Sequence, residues 1–196
     1  MSVRLISDAL EVARGGRTLF RDLSFIVEPG AFVEIRGPNG AGKTSLLRAL
    51  AGYLSPRAGS ISYEGAEEQS LAVHFLGHQN GLKGAASANA HVDYWAGLFG
   101  GGRRDVLERV GLARAADLPA RVLSQGQARR LALARLLTAP RPVWLLDEPA
   151  AGLDSDGRGL LAELIVEHCK SGGLALAALH EPLGVTASNT FNLRGG

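Results

Sequence analysis

The sequence predicts an α/β fold with a mostly parallel sheet, a β-rich N-terminal part and an inserted helical segment. Two continuous apolar runs, VWLLD at 143–147 and LALAAL at 174–179, have the pattern of parallel strands covered on both faces. Short strand-like runs occupy residues 3–36, whereas residues 81–122 contain no convincing strand. With 46% hydrophobic and 20% charged residues, the 196-residue chain has the composition of one globular domain.

Turn residues separate the N-terminal strands. The runs LSFIV at 23–27 and FVEIR at 32–36 are bounded by glycine and proline turn signals at 15–16 and 29–30. After Thr44 the run SLLRALAGYL has helical spacing, and we expect that helix to continue until Pro56 stops it. These alternating strands and helices indicate an α/β core that follows a β-rich start.

The helical segment carries one apolar stripe. Four residues fall at the i, i+3, i+4 and i+7 positions of a helix, and we expect this face to pack into the core. They are Val92, Trp95, Ala96 and Phe99.

The octapeptide GPNGAGKT at 37–44 follows the strand FVEIR and opens the next helix, and it satisfies the pattern G-x-x-x-x-G-K-[ST]. Glycines let backbone N–H groups close around phosphate oxygens, and the helix N-terminus adds partial positive charge. Lys43 would reach the β- and γ-phosphates, and the Thr44 hydroxyl would ligate Mg²⁺. The predicted nucleotide-binding residues are Gly37, Pro38, Asn39, Gly40, Ala41, Gly42, Lys43, Thr44 and Ser45.

Two acids end the apolar run VWLLDEP. Asp147 is placed to hold Mg²⁺ directly or through water, and Glu148 to orient or deprotonate an attacking water. Two acids at a strand end would otherwise simply face solvent, but beside a phosphate loop they favour hydrolysis. His180 ends the next apolar run, where a neutral imidazole would hydrogen-bond the γ-phosphate or the water. Lys43, Glu148 and His180 are therefore the predicted catalytic residues.

The pentapeptide LSQGQ at 123–127 opens the helix ARRLALARLL. Ser124 and Gln127 form the S-x-x-Q pattern of a capping box, which accounts for both polar residues without any function. A capping box does not explain Gly126, because glycine in a first turn costs up to about 1 kcal/mol relative to alanine. Close approach by another backbone or by a phosphate would explain it.

The ordered set GPNGAGKT, LSQGQ, VWLLDEP, AGLD at 151–154 and His180 resembles the ATP-binding subunit of an ABC transporter over essentially the whole chain. The resemblance implies a P-loop NTPase, RecA-like core with an antiparallel N-terminal β subdomain. Residues 1–196 would form one nucleotide-binding domain, with an inserted helical subdomain at about 81–125. ATP and Mg²⁺ would be its cofactors.

The resemblance also implies partners. Two copies would pair head to tail, so that the signature residues of one copy complete the ATP site of the other. These residues are Ser124, Gln125, Gly126 and Gln127. Asp154 would lie at the dimer interface, although an N-cap or turn role also explains it.

The chain departs from the commonest pattern of this family in three places. Gln125 replaces the first glycine of LSGGQ. Arg14 stands near the position of an adenine-stacking aromatic, where its planar guanidinium would substitute. In FLGHQNGLKG at 75–84, either His78 or Gln79 would fill the Gln-loop position that touches Mg²⁺ and senses the membrane partner.

FLGHQNGLKG, ALHEPLGV and the short length are similar to the ATPase subunit of the heme exporter in bacterial cytochrome c maturation. This implies a peripheral protein at the cytoplasmic face of the inner membrane, bound to integral membrane permease subunits, with heme handled indirectly by the complex. Four residues that could ligate heme form no recognised ligation motif: His74, His78, His91 and Cys169.

Other functions stay open at this point. The subunit could serve another exporter of drugs, lipids or small molecules, or the chain could be a soluble ABC-type ATPase or a small-molecule kinase. We expect no nucleic-acid partner, because 21 basic and 19 acidic residues nearly cancel and the basic residues are scattered. The single Cys169 fits a reducing compartment. No apolar run approaches the roughly 20 residues of a membrane-spanning helix.

Overall fold

The structure, a computed structural model, describes residues 2–102 and 104–193. An antiparallel sheet of three strands forms the N-terminal layer, in the order β2-β1-β4. The strands are β1 (Arg4–Arg14), β2 (Arg17–Val27) and β4 (Ala58–Glu64). The predicted N-terminal β subdomain is thereby confirmed, with the β1–β2 turn at Gly15 and Gly16.

The second sheet is parallel throughout, in the order β5-β6-β7-β3-β8. Its strands are β3 (Phe32–Arg36), β5 (Val73–Leu76), β6 (Val143–Asp147), β7 (Leu174–Ala178) and β8 (Asn189–Asn192). Every residue of β6 and β7 is buried, as expected for central strands covered on both faces. The mostly parallel α/β core is confirmed.

Six α-helices accompany the sheets in the described part of the chain: α1 (Lys43–Leu50), α2 (Gln69–Ala72), α3 (Ala88–Phe99), α4 (Val106–Arg109), α5 (Gln125–Thr138) and α6 (Ser155–Lys170). The prediction that the first helix continues to Pro56 is wrong, since α1 ends at Leu50. Gly52 takes a left-handed φ of 78° directly afterwards, which reverses the chain four residues before the proline.

Three apolar clusters hold the layers together. One lies between the two sheets and includes Leu5, Ile35 and the apolar face of α1. A second lies between the parallel sheet and helices α5 and α6, and the third joins α3 and α4 to α5. Val92 and Trp95 are buried in the third cluster, so the predicted stripe packs into the core.

Among residues 2–102 and 104–193, no helix has the length and apolar character needed to cross a membrane.

Candidate functional site

The phosphate loop connects β3 to α1 at the carboxyl edge of the parallel sheet, where ligands bind in open α/β folds. Gly37, Gly40 and Gly42 have φ values of 147°, 81° and 98°, a region that residues with a Cβ rarely adopt. A Cβ on Gly37 would also lie 2.4 Å from the carbonyl oxygen of Leu193. The loop path therefore requires glycine, as the motif predicts.

Lys43 is buried within this loop, with 7% of its surface exposed. Its Nζ donates to the carbonyl oxygens of Gly37 and Pro38, at 2.7 and 3.1 Å. Because Gly42 precedes α1 without a side chain to cap it, the first-turn N–H groups face the same space as the ammonium group. An anion bound here would meet a fixed positive charge and a helix N-terminus together.

Thr44 and Asp147 meet across the sheet edge. The Thr44 hydroxyl donates to Asp147 Oδ1 at 3.0 Å, and Asp147 is 2% exposed. Burial raises the pKa of the Asp147 carboxyl, and the hydrogen bond from Thr44 only partly offsets that rise. The pair brings a hydroxyl and a carboxylate, two oxygen donors of the kind Mg²⁺ takes, to one point beside the phosphate loop.

Glu148 follows in a left-handed conformation with φ of 49°, which is uncommon for a residue with a side chain. Its Oε1 lies 2.8 Å from His180 Nε2, and its Oε2 lies 3.2 Å from His78 Nδ1. Desolvation raises the pKa of Glu148, but the hydrogen bond from His180 and the nearby charges of His180, His78 and Lys43 together lower it below its usual value. The carboxylate is thus ionised and held between two imidazoles.

A cavity of about 390 Å³ contains the phosphate loop, Glu148 and Arg14. The sequence places Arg14 far from the loop, whereas the fold brings its exposed side chain to the cavity wall. Leu19 lines the same cavity, and Phe20 packs 3.2 Å from the Cβ position of Gly42. Neither β2 residue could be singled out from the sequence, since apolar residues in a strand usually belong to the core.

His78 and Gln79 take different positions in the loop after β5. Both side chains are exposed, and His78 contacts the carboxylate of Glu148. Which of the two fills the Gln-loop position stays a prediction, and the contact with Glu148 belongs to His78.

The start of α5 has the predicted capping box. Ser124 Oγ accepts from the N–H of Gln127 at 3.2 Å, and Gln127 Oε1 accepts from the N–H of Ser124 at 2.9 Å. A Cβ on Gly126 would lie 3.2 Å from the carbonyl oxygen of Gly152, so another backbone does approach this glycine closely. Ser124, Gln125 and Gln127 are exposed, and the helix end faces solvent.

Asp154 forms the N-cap of α6, with Oδ1 accepting from the N–H of Gly157 at 2.8 Å. Arg130 donates to the same oxygen at 2.7 Å, and this hydrogen bond lowers the pKa of Asp154. The contact ties the loop before α6 to α5.

His74 and His91 have structural partners. His74 is 2% exposed with Nε2 at 3.0 Å from the carbonyl oxygen of Ala139, and burial lowers its pKa to about 4. His91 Nε2 accepts from the N–H of Lys83 at 2.9 Å. No group of three or more histidine, cysteine, aspartate or glutamate residues within the described ranges is arranged to hold a metal ion.

The sequence profile of the ABC transporter family matches residues 20–151. The curated relatives include the cytochrome c biogenesis ATP-binding export protein CcmA of Nitrobacter winogradskyi, which is 47% identical over 94% of this chain and 96% of its own length. The proteins of the same name from Rhodopseudomonas palustris (strain HaA2) and Chelativorans sp. are 46% and 41% identical. These alignments cover 94% and 99% of this chain, and 95% and 100% of the relatives.

Solved structures have the same fold. An ABC transporter ATP-binding protein from Pyrococcus furiosus superposes with a TM-score of 0.84 at 25% identity, covering 97% of each chain. The structure of cbiO1 from Clostridium perfringens superposes with a TM-score of 0.73 at 23% identity, covering 92% of this chain and 80% of its own. The latter likeness concerns the fold alone.

Proposed function

The chain belongs to the ABC transporter family, and from this premise we infer that it is the ATP-hydrolysing subunit of an export complex that serves c-type cytochrome biogenesis. The observation that carries the inference is the convergence of a phosphate loop, a buried Asp147 and an ionised Glu148 at one sheet edge. We propose that residues 1–196 act as one nucleotide-binding domain, with residues 81–125 as its inserted helical part.

In this proposal ATP is bound by the loop that contains Gly37, Pro38, Asn39, Gly40, Ala41, Gly42, Lys43, Thr44 and Ser45. Lys43 already lies within the loop, so it needs only to exchange carbonyl acceptors for phosphate oxygens. Arg14 lines the same cavity, and the plane of its guanidinium would stack on the base.

Thr44 and Asp147 fit a magnesium ion, because both present oxygen atoms beside the phosphate loop and Mg²⁺ uses few protein ligands together with phosphates. When bound there, the ion would neutralise phosphate charge. Its charge would also offset the burial that raises the pKa of Asp147.

Hydrolysis is assigned to Glu148, supported by His180 and His78. An ionised carboxylate accepts a hydrogen bond from water. This contact directs a lone pair of the water oxygen at the γ-phosphorus. Because the pKa of Glu148 lies below its usual value, the carboxylate is ionised at neutral pH and is available to orient the water or to accept its proton. The imidazoles at 2.8 and 3.2 Å fix the direction of the carboxylate.

We propose that a second copy of the chain completes the site. Ser124, Gln125 and Gln127 are exposed around a helix N-terminus, where first-turn N–H groups would meet a phosphate held by the other copy. Asp154, fixed by Arg130 next to this helix, would lie at the interface between the copies.

The paired site predicts complementation between inactive chains. Lys43→Ala and Gly126→Asp chains, each inactive as a homodimer, should regain hydrolysis when mixed, since one composite site per heterodimer is intact. Steady-state ATP hydrolysis is measured on complete membrane complexes purified through a different tag on each chain. A chain with both substitutions, mixed with the Lys43→Ala chain, is the control that should stay inactive. Absence of rescue in the first mixture contradicts action in trans.

Permease subunits are the proposed membrane partners, with the protein peripheral at the cytoplasmic face of the inner membrane. A small cavity of about 230 Å³ is lined by part of β5, the strand that precedes the loop with His78, and by Tyr53, Phe99 and Arg141. Tyr53 is 70% exposed with its ring edge-on to Phe75, and Arg141 lies 4.7 Å over the ring of Phe99. Aromatic and arginine side chains are enriched at protein interfaces, and Tyr53 is the exposed member of this group.

Heme is the proposed cargo, handled by the complex and not by this chain. The relatives that cover nearly the whole chain are named for cytochrome c biogenesis and export. His74 and His91 have the structural partners described above, and His78 and His180 contact Glu148, so the support comes from the relatives and from the likeness to the heme exporter.

The cargo assignment predicts a selective defect in cells. Bacteria with Glu148→Gln as their only copy should lose covalently attached heme from c-type cytochromes and keep b-type cytochromes, because heme synthesis is untouched. Heme-stained gels and difference spectra measure the two pools. Glu163→Gln, an exposed carboxylate on α6, is the matched control and should leave both pools normal. Normal c-type cytochromes in the Glu148→Gln strain would indicate another exported substrate.

A further inference from the structure

Arg129 is an arginine in the first half of α5 that is only 2% exposed. Its guanidinium lies against the turn that follows β6. Nη2 donates to the carbonyl oxygens of Asp147 and Glu148 at 3.1 and 2.7 Å, and Nε donates to that of Pro149 at 3.0 Å. One side chain therefore holds three consecutive carbonyl groups around the proposed catalytic carboxylate.

The other edge of the same guanidinium faces the loop after β5. Nη1 donates to the carbonyl oxygen of Gly77 and to Asn80 Oδ1, both at 3.0 Å. Gly77 and Asn80 flank His78, whose imidazole contacts the carboxylate of Glu148. Arg129 thus holds both segments that meet at Glu148, which are the turn after β6 and the loop after β5.

The fit between donors and acceptors is complete. An arginine side chain has five N–H bonds, and Arg129 has five acceptors within hydrogen-bond distance. Burial lowers the pKa of Arg129 only to about 10, so the group remains a cation at neutral pH. A lysine has three donors at one point and cannot span these acceptors.

The backbone of Glu148 requires such support. A glutamate at φ of 49° persists only where its surroundings hold it, and its own carbonyl oxygen accepts the shortest of the five hydrogen bonds. We propose that Arg129 is a positioning residue that keeps Glu148 in this conformation and in register with His78, so that the carboxylate points at the attacking water. This inference rests on the proposed function, in which Glu148 acts on water.

The test compares hydrolysis with ATP binding in the assembled complex. In Arg129→Met, kcat per nucleotide-binding site should fall about 100-fold, the effect of misplacing a catalytic group by roughly 1 Å. ATP affinity should stay near the wild-type value, because Arg129 contacts neither Lys43 nor the phosphate loop and meets Asp147 only at its backbone carbonyl oxygen. The kcat of Arg129→Lys should lie between those of the wild type and Arg129→Met. Arg109→Met, which breaks an exposed ion pair between the helical insert and Glu167 of α6, is the matched control and should leave kcat unchanged.

Normalising kcat to titrated ATP-binding sites separates positioning from folding. If Arg129 only stabilises the fold, the number of binding sites and the unfolding temperature fall while kcat per site stays at the wild-type value, and the inference is overturned. Glu148→Gln is assayed in parallel. Full turnover by that variant contradicts the proposed function, whereas an inactive Glu148→Gln beside a fully active Arg129→Met contradicts the positioning role alone.

Asn80 provides a second test that leaves the buried arginine in place. Asn80→Ala removes one acceptor of Arg129 at the loop that carries His78, and kcat should fall without loss of ATP binding. Asn80→Asp keeps an acceptor at the same position and should restore kcat. If Arg129→Met does not fold, the two Asn80 variants test the positioning role instead. Equal kcat values for Asn80→Ala and the wild type would overturn the inference.

Discussion

Replacing Lys43 with alanine is expected to abolish productive ATP binding. The ammonium group is buried inside the phosphate loop and is the positive side chain that lies against the phosphates in the proposed complex. Charge-assisted hydrogen bonds contribute about 1.5–3 kcal/mol each, so the loss of two weakens binding by about 100-fold or more. Isothermal titration with Mg-ATP measures the effect.

Lys170→Ala is the matched control for this experiment, since Lys170 is exposed in the last turn of α6. Its ATP affinity should equal that of the wild type. The thermal unfolding temperature is recorded for both variants, because the carbonyl oxygens of Gly37 and Pro38 lose a donor in Lys43→Ala. Tight Mg-ATP binding by a folded Lys43→Ala chain would remove the loop from the nucleotide site.

Motifs with a local physical cause could be predicted from the sequence. The glycines of the phosphate loop are needed for the backbone conformation that the structure shows, and Ser124 and Gln127 cap the helix that follows them. Strands β6 and β7 were equally clear, because a strand buried on both faces must be continuously apolar. Such features depend on neighbours in the chain.

Features that depend on distant contacts could not be predicted. Strands β5 and β8 have four residues each, too short for a hydrophobic pattern to distinguish them from other segments. His78 and Gln79 are adjacent polar residues in one loop, and only the path of that loop brings His78 to Glu148.

Arg129 shows the same limit most clearly. In the sequence it is one of two adjacent arginines in a helix, and arginine is almost never fully buried unless it is paired. Its five acceptors are four backbone carbonyl groups and one amide oxygen, none of which carries a recognisable sequence signal. Backbone acceptors become visible only when the turn after β6 and the loop after β5 are placed together.

Glu148→Gln should bind ATP as the wild type does and hydrolyse it about 100- to 10,000-fold more slowly, the range associated with loss of a general base. Glutamine keeps the shape of the side chain, so the left-handed backbone and the contacts of Arg129 with the carbonyl groups are retained. What is lost is the negative charge that orients water and that the imidazoles of His180 and His78 hold in place. Single-turnover hydrolysis and equilibrium binding of Mg-ATP separate the two steps.

The direction of the binding change makes the test more specific. Removing a carboxylate from the cavity that would hold ATP also removes repulsion toward the γ-phosphate, so affinity should stay equal or increase while turnover falls. A misfolded variant would lose both ATP affinity and turnover. Glu163→Gln, the exposed counterpart on α6, should change neither. Undiminished turnover by Glu148→Gln would exclude this carboxylate from the chemistry. His180, whose Nε2 lies 2.8 Å from Glu148 Oε1, would then be the next residue to test.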